Sequence, residues 1–117
     1  MKLIKSFGYA IQGIRYCWKQ ELNFRIHILA TVIVICLASL LSCSPIEWVI
    51  LILNMVLVLS LEMINTAIEK ICDVLSPFTK PQIKIIKDAS AGAVMLAAAG
   101  SVVTGVFIFI PKIIQFF

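Results

Sequence analysis

At 117 residues, 62% hydrophobic and only 14% charged, the chain is too apolar for a small water-soluble domain, whose high surface-to-volume ratio demands more polar surface. Its formal charge of +4 is spread without a basic run or an aromatic-basic patch. Nucleic acid is therefore not an expected partner, and the charges are read as topology signals and anchors for anionic headgroups.

In chain order, residues 1–25 mix apolar and basic side chains. Ile4, Phe7, Ile11, Ile14 and Trp18 recur every three or four positions, the spacing of one helix face, and Lys2, Lys5, Arg15 and Lys19 fill the remainder. The pattern predicts an amphipathic helix lying on the membrane surface, bent in the middle where Gly8 and Gly13 lower the propensity. No cleavable signal peptide is expected, because the first apolar run begins only after Arg25. Residues 26–43 are almost wholly apolar and form the first predicted span, since about 20 helical residues cross a hydrocarbon core of roughly 30 Å. Ser42-Cys43-Ser44-Pro45 makes a tight turn, and residues 46–64 form the second span. Residues 65–88 are read as a helix extension and polar loop broken by Pro77 and Pro81. The third span covers 89–110 and ends at Pro111. Its Ala91-to-Gly100 stretch supplies small residues that let helix backbones approach closely. The expectation is one all-α membrane domain over 1–117, a surface helix plus three transmembrane helices. Cys17, Cys36, Cys43 and Cys72 show no C-x-x-C spacing and read as small apolar residues rather than a disulfide framework or zinc site.

Basic residues orient these spans. Lys2, Lys5, Arg15, Lys19 and Arg25 precede the first, Lys70, Lys80, Lys84 and Lys87 separate the second from the third, and Lys112 alone falls on the other side. The positive-inside rule predicts a cytoplasmic N-terminus and loop, with the C-terminus outward.

Acidic residues are few, so their placement carries information. Glu62, Asn65, Glu69 and Asp73 are spaced by three, four and four, which puts them in one stripe of a single helix face. Glu62 lies at the edge of an apolar span, where an ionised carboxylate is expensive. A solvated ladder with Lys70 and the loop lysines accounts for Glu69 and Asp73 but gives no reason for Glu62. A metal-phosphate site accounts for the whole stripe: Mg2+ takes one or two carboxylates completed by phosphate oxygens and water. A further carboxylate at the membrane edge can take a proton from a lipid hydroxyl. Lys87-Asp88 opens the third span, where Lys87 is read either as neutralising a transferring phosphoryl group or as snorkelling to headgroups. Glu21 is open in the same way, and His27, at the mouth of the first span, reads as an interfacial hydrogen-bonder. No H-E-x-x-H, G-x-S-x-G, Walker A or G-x-G-x-x-G pattern occurs.

Glu62-x-x-Asn65-x-x-Ile68-Glu69-x-x-x-Asp73, followed by Lys87-Asp88-x-x-Ala91-Gly92-Ala93-Val94, resembles the bacterial integral-membrane diacylglycerol kinase and undecaprenol kinase family. Gly13-Ile14-Arg15 and Glu21-x-x-Phe24-Arg25 extend the resemblance over nearly the whole chain. It implies a homotrimer in the bacterial inner membrane, with active sites shared between subunits, that phosphorylates a lipid hydroxyl with ATP at the cytoplasmic face. By the same resemblance Glu62 is the catalytic base, Asn65 orients the site, and Glu21 and Glu69 hold the Mg2+ that accompanies ATP. Lys87 and Asp88 contact the nucleotide, with Lys2, Tyr9, Phe78, Thr79 and Lys80 alongside. Lys2 stands where the diacylglycerol kinase branch has arginine, and Ile86 where both branches have alanine. Asn23-Phe24-Arg25-Ile26-His27 and the stretch from Lys87 to Val94 look more like the undecaprenol branch, which implies undecaprenol as acceptor before diacylglycerol. Two other classes compete with this reading. A small transporter subunit would line an ion path with the acids, and a non-catalytic scaffold would only assemble helices through its alanine and glycine face.

Overall fold

The computed structural model describes residues 1–75 and 80–117, and every regular element within them is a helix. These are α1 (Lys2–Gln20), α2 (Leu22–Leu40), α3 (Pro45–Leu75) and α4 (Pro81–Phe116). The last three are long and apolar enough to cross a membrane, and the chain is a multi-pass membrane protein.

α1 runs unbroken from Lys2 to Gln20, through Gly8 and Gly13. A glycine weakens a helix by about 1 kcal/mol relative to alanine but removes no hydrogen bond. Ile4, Phe7, Ile11, Ile14 and Trp18 are all exposed within the chain, the apolar face an interfacial helix presents to lipid.

The junction with α2 falls at Glu21, whose backbone is extended (φ −113°, ψ 109°), so α2 begins at Leu22 rather than at residue 26. Arg25 accounts for the break. Its Nη1 donates to the carbonyls of Trp18 at 3.3 Å and Lys19 at 3.2 Å, two of the acceptors that the end of α1 leaves open. The arginine that reads from sequence as a headgroup anchor instead folds back to cap a helix.

α2 ends at Leu40, short of the expected residue 43. Ser42 takes a left-handed conformation (φ 53°), and the Cys43 N–H donates to the Ala38 carbonyl at 3.1 Å, which closes a Schellman-type helix end. Glycine is the usual residue there because a Cβ crowds the backbone. Ser42→Gly is therefore expected to raise thermal stability in detergent by about 1 kcal/mol or less, the relief being partly offset by glycine's greater freedom when unfolded. An unchanged or lower midpoint would show that the relief at Ser42 does not exceed that offset.

α3 starts with a reciprocal cap. The Ser44 N–H donates to Glu47 Oε1 at 2.9 Å and the Glu47 N–H donates to Ser44 Oγ at 3.3 Å, a capping box. Its 31 residues span roughly 46 Å at 1.5 Å per residue, well beyond a hydrocarbon core of roughly 30 Å. The second span and its polar extension are thus one rod, and the carboxylate stripe stays on one face as it leaves the apolar region.

α4 differs most from the sequence expectation. It begins with Pro81 in its first turn, well before residue 89, and continues through Pro111 to Phe116. Proline removes a hydrogen bond but is tolerated in membrane helices whose neighbours compensate. Here Lys112 Nζ pairs with Glu47 Oε1 at 2.9 Å, and Ile113 packs on a cluster of Ala38, Leu51 and Phe109. These contacts hold the last turns of α4 against the start of α3.

α3 is the central rod, packed most extensively on α4 and also on α2 and α1. In its apolar middle, Ser101 Oγ donates to Asn54 Oδ1 at 3.3 Å while Asn54 Nδ2 donates to the Ile50 carbonyl at 2.8 Å. Such bonds tie helices together where lipid offers no alternative partner.

Candidate active site

The buried polar residues among the described ones are Glu62, Asn65 and Thr66, at 3%, 7% and 4% exposure. All three lie within about one turn of α3, on the side that faces its neighbours. Thr66 is satisfied locally, its Oγ1 donating to the Glu62 carbonyl at 3.1 Å. Glu62 meets α2: its Oε2 lies 3.8 Å from His27 Nε2, an ion-pair separation rather than a hydrogen bond.

One turn beyond, Asn65 Nδ2 donates to Glu69 Oε1 at 3.2 Å. An ionised carboxylate only accepts, so this contact fixes which end of the amide is nitrogen. Asn65 Oδ1 is then left buried without a donor, the single such side-chain atom among the described residues. An unmet buried acceptor costs roughly 1–3 kcal/mol, and a donor on a bound molecule would remove that cost.

Glu62 and Asn65 line a cavity of about 280 Å³ together with Asn23, His27 and an apolar α4 face of Ala91, Val94, Met95 and Ala98. A second hollow of about 290 Å³ runs between α2, α3 and α4, lined almost wholly by apolar side chains such as Val34, Val58, Val102 and Phe109. The two share His27 and Ala98. A polar cavity and a greasy trough therefore meet at His27.

The other candidate residues surround this centre unevenly. Glu21, at the α1–α2 junction, and Glu69 are both close enough to act electrostatically on the Glu62 carboxylate. Burial pushes the Cys17 thiol on α1 up, and the Glu21 carboxylate adds to that shift, because both disfavour a thiolate. Lys87 Nζ donates to Asp73 Oδ1 at 2.7 Å, so the start of α4 is tied to the extension of α3. Asp88 pairs with Lys84 one turn away. Lys70 stacks over the Tyr16 ring at 5.5 Å, joining α1 to α3. Lys2 and Tyr9 lie exposed on α1, and neither side chain forms a hydrogen bond or ion pair among the described residues. Lys80 is the exposed N-cap of α4; Phe78 and Thr79 lie outside the described residues.

Among the described residues no group of three or more His, Cys, Asp or Glu gathers tightly enough to hold a metal alone. The donor set nevertheless suits a hard cation that arrives with a nucleotide. Mg2+ needs only one or two protein carboxylates when phosphate oxygens and water complete its shell; Glu69 accepts from Asn65, and Glu21 and Glu69 both act electrostatically on Glu62.

Sequence reasoning missed the contact of His27 with Glu62 and the burial of Thr66 and Cys17. A signal for the first was present: a carboxylate in an apolar span needs a partner, and the one histidine of the chain stands in the first turns of the neighbouring span.

Comparison with known proteins identifies the family. The family described as Prokaryotic diacylglycerol kinase matches residues 8–109. The chain is 40% identical over 114 residues to a diacylglycerol kinase of Synechocystis sp., covering 97% of this chain and 65% of that protein's length. It is 39% identical over 112 residues to an undecaprenol kinase of Bacillus subtilis, covering 96% of this chain and 91% of that protein. A diacylglycerol kinase of Escherichia coli is 31% identical over 103 residues, 88% of this chain and 84% of its own. With three apolar helices, a buried carboxylate at their polar end and a family match over most of its length, the chain belongs to the prokaryotic diacylglycerol kinase family of membrane lipid kinases.

Proposed function

We propose that this chain transfers the γ-phosphoryl group of ATP to the hydroxyl of a membrane lipid alcohol, with undecaprenol as the preferred acceptor and diacylglycerol as the alternative. The observation that carries the reading is the meeting of a polar cavity, holding Glu62 and an unmet Asn65 acceptor, with an apolar trough between the spans. One end suits a hydroxyl and the other a hydrocarbon chain, while the nucleotide stays in water beside the lysines of α4. The excess of basic residues at that end supports reading that water as the cytoplasmic side, in a bacterial inner membrane.

In this reading Glu62 accepts the hydroxyl proton as the lipid oxygen attacks the γ-phosphorus in line. The O–H bond and the bond from phosphorus to the ADP oxygen break, and one O–P bond forms. Asn65 orients the site by bracing Glu69 through Nδ2, and its Oδ1 is left to accept from a donor on a bound molecule other than the reacting hydroxyl, whose one proton goes to Glu62. Bound Mg2+, held by Glu21 and Glu69, would supply charge neutralisation on the phosphates. Lys87 and Asp88 reach the nucleotide from the start of α4, and Lys80, Lys2 and Tyr9 line its approach. Holding both reactants in one site replaces a bimolecular encounter with a positioned one.

The assembly is read as a homotrimer with sites completed by neighbours. Supporting this, one subunit of three spans leaves large apolar faces on α2 and α4 uncovered, and it is small for enclosing two substrates.

The test is direct. Purified protein in vesicles with γ-labelled ATP and magnesium is given undecaprenol or diacylglycerol, and lipid products are separated by thin-layer chromatography. Labelled undecaprenyl phosphate in excess is expected. Label mainly in phosphatidic acid would reverse the acceptor preference, and label in neither would remove the kinase reading.

A further inference from the structure

The proposed reaction leaves His27 without a role, although its ring lies within ion-pair distance of the proposed base. Glu62 is 3% exposed inside an apolar helix, where an unaccompanied carboxylate is costly. The cations that could accompany it are engaged elsewhere. Arg25 caps the carbonyls of α1, Lys70 covers the Tyr16 ring, and Lys87 holds Asp73. α4 lines the cavity with apolar side chains only. Among the described residues, His27 alone brings a positively chargeable group within ion-pair distance of Glu62, at 3.8 Å. It also lines both the cavity and the trough, as Ala98 does, and so stands where the two meet.

We propose that His27 is a positioning residue for phosphoryl transfer, its Nε2–H holding the Glu62 carboxylate toward the point where the lipid hydroxyl enters the cavity. The inference rests on the reading of Glu62 as base. A closure of roughly 0.6 Å turns the contact into a hydrogen bond, the kind of tightening that catalytic contacts undergo when substrates bind. Once bonded, the carboxylate presents its second oxygen to the acceptor in one orientation. Without it, the carboxylate rotates freely and spends less time in line.

The experiment compares His27→Phe, His27→Leu and His27→Gln in full-length protein in vesicles, with Glu62→Gln in parallel. Both apolar variants are expected to lower kcat roughly ten- to a hundredfold, the range for a misplaced reacting group, while KM for magnesium-ATP stays within about twofold. His27→Gln keeps an N–H donor at similar reach and is expected to recover most of the lost kcat. A kcat equal to wild type in either apolar variant overturns the proposal. So does an equal loss in His27→Gln, because packing rather than the donor would then be responsible. Wild-type activity in Glu62→Gln would instead remove the base reading itself, which separates the two failures.

Discussion

Glu62→Gln leaves the cavity's shape intact and removes its proton acceptor, and lipid phosphate formation is expected to fall roughly a hundred- to ten-thousandfold, the contribution of a positioned general base. That loss corresponds to about 3–5 kcal/mol in the barrier. It should fall on kcat, with KM for magnesium-ATP little changed, because the ion-pair partner of Glu62 among the described residues is His27 and not a residue of the nucleotide side. The variant should also be at least as stable as the wild type, since an amide costs less than a carboxylate to bury in an apolar span. Thermal unfolding in detergent, read beside turnover, therefore separates loss of chemistry from loss of fold. Turnover near wild type would exclude Glu62 as the base.

The second large effect is expected at Lys87. Its ammonium is 2.7 Å from Asp73, which describes a lysine resting on an acid of the neighbouring helix. If Lys87 meets the phosphates during transfer, Lys87→Gln should lower kcat roughly a hundred- to a thousandfold, as loss of one donor aimed at developing charge does elsewhere. Asp73→Asn makes the reading specific. It breaks the same ion pair but frees the lysine, so activity should be retained or rise. Asp73 is exposed and Lys87 partly so, and ion pairs open to water add little to stability, so neither variant should unfold the protein. Equal loss in the two variants would mean that the pair, not the lysine, is what matters, and Lys87 would have no place at the phosphates.

Much of this architecture is legible in the sequence because hydropathy and helical spacing are local properties. The three apolar runs become α2, α3 and α4, and the Glu62, Asn65, Glu69, Asp73 stripe stays on one helix because α3 does not stop at the membrane edge. Helix ends were less legible, since neighbours override propensity. Pro111 reads as a terminus from its missing N–H, yet the turn beyond it is held by the Lys112–Glu47 pair and by the packing of Ile113. The break at Glu21 has no proline or glycine to announce it. It depends on Arg25 reaching back to two carbonyls of the preceding helix.

Composition and spacing alone settled that this chain lives in a membrane and carries an acidic stripe on one helix face. Partnership is another matter, because which cation faces which carboxylate depends on helices far apart in sequence coming together. Only the packed structure set His27 against Glu62 and Lys87 against Asp73, and left Asn65 Oδ1 with no donor. Burial makes those pairings consequential: where water is excluded, each polar group must find a partner in the protein or in what the protein binds.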